Sequence, residues 1–280
     1  MHPLISGNKW FKLKYFLIEA HSRGIKTLIS FGGAWSNHLH AMAAAGYYLG
    51  FQTIGIIRGE KPAKPSAMLQ DVERWGMKLL YVSRSDYRQR YDADYHQTLL
   101  KQLSISSEQV VIIPEGGSGA LGVRGCEDIL SAGSIQAQEY DEIWLACGTG
   151  ATMAGVVRSV NNSVNNSVNN ATHVRGFPVL KGAGFLKEDV AQLLEPTDTR
   201  WSLELDHHCG GYGKTTPDLI QFIVSFEQET GIPLDPVYTG KLMFALKQKA
   251  ESGGLSGLQR LLLIHTGGLQ GRRGFSEWAN

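Results

Sequence analysis

Short apolar runs alternate with longer amphipathic segments along most of this chain. Seven runs, rich in Ile, Leu and Val, have the length of strands: residues 27–31, 53–57, 78–82, 110–114, 142–146, 173–179 and 261–265. Several are continuous rather than alternating, which indicates strands covered on both faces. Four segments between them have helical periodicity: residues 37–49, 65–75, 91–103 and 121–131. The alternation predicts an α/β protein with mostly parallel sheets.

Glycine-rich turns follow four of the predicted strands, at residues 32–33, 116–117, 148–150 and 267–268. Parallel α/β sheets bind their ligands at the carboxyl ends of strands, so these turns are where chemistry is expected. A tight turn alone explains any single glycine pair. Residues 147–152 are different, because three small residues and two threonine hydroxyls precede a helix. That layout binds a phosphate on backbone N–H groups.

Composition narrows the class of protein. The chain has 280 residues and a net charge of +1. Its Lys and Arg residues are scattered, so the sequence shows no basic patch of the kind that binds nucleic acid. No apolar run approaches the roughly 20 residues of a membrane helix, and no basic-then-apolar signal segment opens the sequence. Three widely spaced cysteines argue against a disulfide framework. We expect a cytoplasmic protein that binds neither membranes nor nucleic acid.

Five motifs occur in one order along the chain: Gly7-Asn8-Lys9-x-x-Lys12-Leu13, Gly32-Gly33-x-x-Ser36-Asn37-His38, Gly148-Thr149-Gly150-x-Thr152, Leu234-Asp235-Pro236-Val237-Tyr238-Thr239-Gly240-Lys241 and His265-Thr266-Gly267-Gly268. In these motifs the chain resembles the pyridoxal-phosphate (PLP) enzymes of the tryptophan synthase β fold. Within them it is similar to the branch of D-cysteine desulfhydrase and 1-aminocyclopropane-1-carboxylate (ACC) deaminase. Each motif alone is weakly specific, but five in the family's order over nearly the whole chain are specific.

The resemblance implies PLP fold type II, with two three-layer α/β domains built on open twisted sheets. A smaller domain is expected at residues 12–117. A larger domain, which binds the PLP phosphate, is expected at residues 1–11 plus 118–280. A homodimer is usual in the family and is expected here.

The resemblance also implies roles for residues of the first two motifs. Lys9 matches the lysine that binds the PLP aldehyde through its amine and moves the Cα proton, and it precedes Ser36 by the family's spacing of 27 residues. Without the resemblance, such a lysine is most simply a solvated surface charge. Lys12 would add positive charge toward the phosphate. Asn37 would donate to the ring hydroxyl oxygen, and Ser36 would bind the substrate carboxylate or assist proton transfer. His38 is expected beside them on the substrate side.

The later motifs supply the remaining expected contacts. The phosphate would be held by the loop of Cys147, Gly148, Thr149, Gly150, Ala151 and Thr152. Thr266 would bond the pyridine nitrogen, and a hydroxyl partner leaves that nitrogen largely unprotonated, which suits β-elimination. Tyr238 is the second catalytic candidate, as proton donor to the leaving group or as base. Tyr212 would lie near the cofactor, although a tyrosine-capped turn explains residues 210–213 equally well.

Two positions bear on the substrate, a small amino acid. In ACC deaminases the tyrosine is followed by Glu and the last strand ends with Leu, whereas this chain has Thr239 and Thr266. The pattern favours D-cysteine desulfhydrase, an α,β-elimination that gives pyruvate, sulfide and ammonia. ACC deaminase, giving 2-oxobutyrate and ammonia, is the alternative. A non-catalytic PLP-binding protein is a third hypothesis, because the family's usual N-terminal strand does not precede His2-Pro3.

Three other features of the sequence are expected to be structural and have no predicted role in catalysis or binding. The adjacent His207, His208 and Cys209 cannot easily face one ion and lack a second ligand pair, so no metal is expected. The repeated Ser-Val-Asn-Asn of residues 159–170 predicts a polar surface insertion that extends a helix or loops out. Asp235 is expected to accept hydrogen bonds from the turn that follows it.

Overall fold

The computed structural model describes residues 3–5, 7–164 and 172–278. No helix in these ranges is long and apolar enough to cross a membrane. The chain divides into two compact units: the first contains residues 1–122 and 270–280, and the second contains residues 123–269. The domain limits expected from the sequence, at residues 12 and 117, stay a prediction.

The first unit is built on a four-stranded parallel sheet with helices on both faces. Its strands are β1 (Thr27–Gly32), β2 (Gln52–Arg58), β3 (Lys78–Val82) and β4 (Val110–Ile113). Its helices are α1 (Asn8–Ser22), α2 (Asn37–Leu49), α3 (Ala67–Arg74), α4 (Arg84–Arg88) and α5 (Ala93–Leu103). Leu13, Leu39 and Met68 pack in one buried cluster, whereas Phe31, Ile56 and Leu99 pack in another. Burial on both sides explains why these strands are continuous apolar runs.

The second unit has a sheet of the same kind. Its strands are β5 (Glu142–Cys147), β6 (His173–Pro178), β7 (Trp201–Leu203) and β8 (Leu261–Ile264). Its helices are α6 (Ala120–Cys126), within which the boundary of the units falls, α7 (Asp128–Ala132), α8 (Ala151–Val164), α9 (Leu186–Ala191), α10 (Pro217–Thr230) and α11 (Thr239–Glu251). Leu145 and Met153 belong to one core cluster, and Trp144 and Leu242 belong to another.

The two sheets share one topology, and it marks where ligands are expected. The strand orders are β3-β2-β1-β4 and β7-β6-β5-β8, and all six pairings are parallel. In each sheet the chain runs outward over three strands and then returns to the other side of the first. The order therefore reverses between β1 and β4 and between β5 and β8. Crevices at such reversals, outside the carboxyl ends of the strands, are the usual binding sites of open α/β sheets.

The predicted elements are confirmed for all seven strands, with end shifts of one residue or so. The helix predicted at residues 121–131 is present but is interrupted at Glu127. Strand β7 was missed, because three half-buried residues at a sheet edge are too short for a periodic pattern. The Ser-Val-Asn-Asn repeat extends α8 to Val164, and residues 165–170 lie outside the described residues.

Candidate active site

The first turn of α2 presents Ser36 and Asn37 at the carboxyl end of β1. Ser36 is the N-cap of this helix, and its Oγ accepts a hydrogen bond of 3.2 Å from the N–H of Leu39. Glycine is required at Gly32, because a Cβ there would lie 2.6 Å from Ser36 Oγ. The N–H groups of Asn37 and His38 have no partner within the helix, as at any helix start. The turn therefore offers backbone donors beside the Asn37 amide.

Lys9 and Lys12 lie on the first turn of α1. Lys9 is half-buried, and its Nζ donates to Asn8 Oδ1 at 3.0 Å. Lys12, one turn further on, is buried and donates from Nζ to the carbonyl oxygen of Gly116 at 3.0 Å. This contact ties α1 to the turn after β4. The roles expected for both lysines toward a cofactor stay predictions.

His38 is 2% exposed, and its imidazole points into the sheet. Its Nε2 lies 2.9 Å from Ser30 Oγ, and that hydroxyl donates to the carbonyl oxygen of Ile113 at 2.8 Å. Because the Ser30 hydroxyl has one proton, Nε2 must be the donor to Ser30, which leaves Nδ1 as an acceptor. Nδ1 is buried and has no hydrogen-bond partner among the described residues. A substrate contact of His38 would therefore come from its backbone N–H.

Burial lowers the pKa of His38 well below its ordinary value, and the nearby charges of Lys9 and Lys12 lower this pKa further. The imidazole is consequently neutral. Gly117 closes over it, since a Cβ at Gly117 would lie 3.3 Å from His38 Nδ1 and 3.0 Å from Lys12 Cβ. The first unit thus brings together the expected site residues Lys9, Lys12 and His38 at the point where its strand order reverses.

In the second unit, the loop after β5 forms a cradle at the start of α8. Gly150 accepts the first helical hydrogen bond, from the N–H of Ala154 at 2.9 Å, and has a φ of 76°. A Cβ on Gly150 would lie 2.5 Å from Val190 Cγ2, so only glycine fits. Ala151 and Thr152 follow in the first turn and are buried. The N–H groups at the start of this 14-residue helix and its positive dipole end fit the phosphate expected here.

The side chain of Cys147 does not take part in this loop. Its side chain is buried in the core, with Sγ 3.8 Å from Met153 Sδ. Gly148 and Thr149 follow it and are partly accessible. The residues that are able to reach a phosphate are therefore those from Gly148 onward.

Two tyrosines lie beside the cradle. A Cβ added to Gly148 would lie 3.2 Å from Cε1 and 3.4 Å from Oη of Tyr238, so the phenol ring rests against this glycine. The ring of Tyr212 meets that of Tyr238 edge to face, with centroids 6.2 Å apart. The two expected catalytic tyrosines are thus neighbours, next to the expected phosphate loop.

The turn before α11 holds Tyr238 in place. Asp235 Oδ1 accepts hydrogen bonds from the N–H groups of Tyr238 at 2.6 Å and Thr239 at 3.2 Å, which confirms the capping role predicted for it. In return, Thr239 Oγ1 accepts from the N–H of Asp235 at 2.8 Å. Thr239 is 1% exposed. Its hydroxyl is therefore committed to the turn, and its expected influence on the substrate stays a prediction.

Thr266 follows β8 and is 6% exposed. No hydrogen bond of its hydroxyl is found among the described residues, and the hydroxyl oxygen itself keeps some solvent accessibility. An accessible hydroxyl is both a donor and an acceptor, so this group fits a ligand atom such as the pyridine nitrogen. The following Gly267 and Gly268 have φ values of 75° and 90°, which turn the chain sharply after the strand.

Lys241 is a buried site residue that sequence reasoning missed. It is 2% exposed, and its Nζ donates to the carbonyl oxygen of Gly211 at 2.7 Å. Burial lowers the pKa of Lys241 to about 8, against the opposing effects of Cys209 and Asp235. Gly211 directly precedes Tyr212, so the contact anchors the loop that carries this tyrosine. A lysine in an amphipathic helix is ordinarily exposed, and no spacing signalled this role.

Comparison with known proteins agrees with the geometry. Residues 1–267 match the family model of pyridoxal-phosphate dependent enzymes, and the chain belongs to this family. It is 31% identical to a putative ACC deaminase of Pyrococcus horikoshii over 273 residues, covering 95% of this chain and 81% of the relative. It is 29% identical to a mitochondrial bifunctional D-cysteine desulfhydrase/ACC deaminase of Arabidopsis thaliana, covering 95% and 70%.

A crystal structure of an ACC deaminase homologue superimposes with a TM-score of 0.79 at 27% identity. The match covers 96% of this chain and 82% of that one. The fold is therefore PLP fold type II, and the protein is a PLP-dependent enzyme.

Proposed function

We propose that this enzyme catalyses α,β-elimination from D-cysteine, in which D-cysteine and water give pyruvate, hydrogen sulfide and ammonia. The observation that carries the proposal is the hydroxyl of Thr266, a residue that is 6% exposed and follows β8. A hydroxyl on the pyridine nitrogen keeps the electron sink weak, which suits a substrate whose good leaving group takes the electrons. The leucine expected at this position in an ACC deaminase has no such group.

When bound, PLP supplies the electron sink for the bond that breaks at Cα. Lys9 would hold the cofactor through its amine, and its Nζ would take the Cα proton of the substrate. Lys12 adds positive charge for the phosphate. Ser36 binds the substrate carboxylate or assists proton transfer, with the backbone N–H of His38 beside it. Asn37 donates to the ring oxygen of the cofactor.

Tyr238 donates a proton from Oη to the departing sulfur of the thiol, so that hydrogen sulfide leaves instead of the hydrosulfide anion. Support comes from its place against Gly148, beside the phosphate cradle. The neighbouring Tyr212 packs edge to face with this ring and limits its rotation. The loop from Gly148 to Thr152 holds the phosphate on backbone N–H groups and threonine hydroxyls.

ACC deamination is the second candidate, and the name of the Pyrococcus relative favours it, whereas the Arabidopsis relative is named for both reactions. The two reactions separate by product. We expect the purified holoenzyme to release sulfide and pyruvate from D-cysteine, with little 2-oxobutyrate from ACC. Release of 2-oxobutyrate as the dominant activity would contradict the proposal in favour of ACC deamination. A coloured protein that turns over neither substrate would indicate a non-catalytic PLP-binding protein.

The role of Lys9 is tested by Lys9→Ala, which should remove both turnover and the visible absorbance of the lysine-linked cofactor. Lys26→Ala is the matched control, because Lys26 is an exposed lysine of the same unit. If Lys9→Ala keeps its turnover while Lys26→Ala loses turnover, the chemistry belongs to a lysine other than Lys9.

We also propose a homodimer and a cytoplasmic location. The homodimer rests on the family resemblance. The location is supported by Cys126, Cys147 and Cys209, which form no disulfide among the described residues. Sedimentation velocity at several protein concentrations tests the dimer, and fractionation of the source cells tests the location.

A further inference from the structure

The side chain of Gln270 contacts the amide of Asn37 within the first unit. Gln270 lies in the short 3-10 helix Leu269–Gly274. Its Nε2 donates to Asn37 Oδ1 and, at 3.4 Å, to the carbonyl oxygen of Trp35. Its Oε1 accepts from Arg273 Nη2 at 3.4 Å. The amide of Asn37 thus contacts the amide of Gln270, a residue that belongs to none of the five sequence motifs.

The partners of Gln270 determine which way both amides point. A backbone carbonyl such as that of Trp35 only accepts hydrogen bonds, and the guanidinium of Arg273 only donates them. The nitrogen of Gln270 must therefore face Trp35 and Asn37, and its oxygen must face Arg273. It follows that Asn37 presents Oδ1 to Gln270. Its Nδ2, a donor of two hydrogen bonds, is left for another partner.

Arg273 is itself fixed by a buried carboxylate. Its Nη2 donates to Asp71 Oδ2 at 2.6 Å, and its Nε donates to the Gln270 carbonyl oxygen at 3.2 Å. Asp71 is buried and also lies 3.3 Å from His40 Nε2. A charge-assisted contact therefore anchors the oxygen end of the Gln270 amide. The Asp71 carboxylate therefore holds Arg273, Arg273 orients the amide of Gln270, and Gln270 orients the amide of Asn37.

We propose that Gln270 is a positioning residue that fixes the amide orientation of Asn37, so that Nδ2 faces an acceptor atom of the bound cofactor. The inference rests on the proposed role of Asn37 as a donor to the ring oxygen of PLP. With the amide reversed, Oδ1 would face that oxygen and repel it. Gln270 selects the productive orientation without touching the cofactor.

The test is Gln270→Glu, which keeps the size of the side chain but removes its donor. Asn37 would then turn Nδ2 toward the carboxylate and present Oδ1 to the cofactor. We expect PLP to bind the apoprotein about tenfold more weakly, the effect of losing roughly one hydrogen bond. The absorbance band of the bound cofactor should shift as well, because its ring oxygen loses a donor. Gln102→Glu, an exposed change of the same charge in α5, should alter neither.

A double-mutant cycle separates orientation from a general effect. In an Asn37→Ala background, Gln270→Glu should no longer change PLP affinity, because there is no amide to reverse. An equal loss in both backgrounds, or unchanged affinity and spectrum in Gln270→Glu alone, would overturn the inference. If the apo form of Gln270→Glu melts much lower than wild type, Gln270→Leu replaces it. Gln270→Leu leaves the Asn37 amide free to rotate. We expect a smaller loss of PLP affinity, and this loss should again be absent in the Asn37→Ala background.

These readouts do not depend on the reaction. Loss of PLP affinity in a protein inactive toward D-cysteine would leave the inference standing and reject the proposed function. If the enzyme is active toward D-cysteine but Gln270→Glu binds PLP with normal affinity, the proposed function stands and the inference on Gln270 is rejected.

Discussion

The phenol ring of Tyr238 rests against Gly148, with Cε1 3.2 Å and Oη 3.4 Å from the place where a Cβ of residue 148 would lie. Contacts at 3.2 Å are tighter than carbon atoms normally adopt, so the ring position depends on the missing side chain. The glycine therefore does more than make a turn. It lets the phenol of Tyr238 approach the loop in front of α8.

Gly148→Ala tests this dependence. The backbone of Gly148 is not in the left-handed region, so alanine is excluded only by the tyrosine ring. We expect kcat for D-cysteine to fall about 10- to 100-fold as Tyr238 is displaced by a fraction of an ångström, with little change in melting temperature. Gly184→Ala is the control, because nothing lies within 4 Å of its Cβ position. An unchanged kcat in Gly148→Ala would show that Tyr238 Oη need not sit where it does.

Gly155, inside α8, gives a prediction on stability. Alanine in place of glycine normally stabilises a helix interior by up to about 1 kcal/mol. Here a Cβ would lie 2.4 Å from Cys126 Cβ and 2.7 Å from the Val123 carbonyl oxygen. We expect Gly155→Ala to lower the free energy of unfolding by about 1–3 kcal/mol, measured by urea denaturation against Gly184→Ala. A gain in stability would mean that α6 and α8 are packed less closely.

The buried Lys241 should make stability rise with pH. Its pKa is lowered to about 8 in the folded protein from 10.5, so between these values the unfolded chain binds a proton that the folded chain does not. The free energy of unfolding must then increase as pH rises through this range. Lys241→Met lacks this group. The free energy of unfolding of the wild type, minus that of the variant, should therefore increase from pH 7.5 to pH 10. A flat difference would mean that Lys241 stays protonated when folded.

His38 should give a pH dependence of the same sign on the acidic side. Burial and then the charges of Lys9 and Lys12 lower its pKa, so the unfolded chain takes up a proton first as pH falls below about 6.5. Stability is therefore lost as pH falls through this region. Measured between pH 7 and pH 5, the loss should be smaller in His38→Gln. Equal losses would place the acid sensitivity in other groups.

Much of this fold could be predicted from the sequence, because its strands are covered on both faces and read as apolar runs between glycine turns. Ser36, Asn37 and the loop from Cys147 to Thr152 were likewise marked by local patterns. Gln270 was not, since it is 233 residues from Asn37 and only tertiary folding joins them. The inward orientation of His38 was also hidden, because a histidine at a helix start has the same local pattern whether it faces a sheet or a ligand.

The hydrogen bonds from His38 to Ser30 and from Ser30 to Ile113 fasten the first turn of α2 to the adjacent strands β1 and β4. Side chains on a helix end are ordinarily free to move, and a ligand that binds them must restrict that motion. Here the conformational entropy of the turn is lost when the chain folds instead of when a ligand arrives. Whatever binds Asn37 therefore meets a preorganised surface and retains more of its contact energy as affinity.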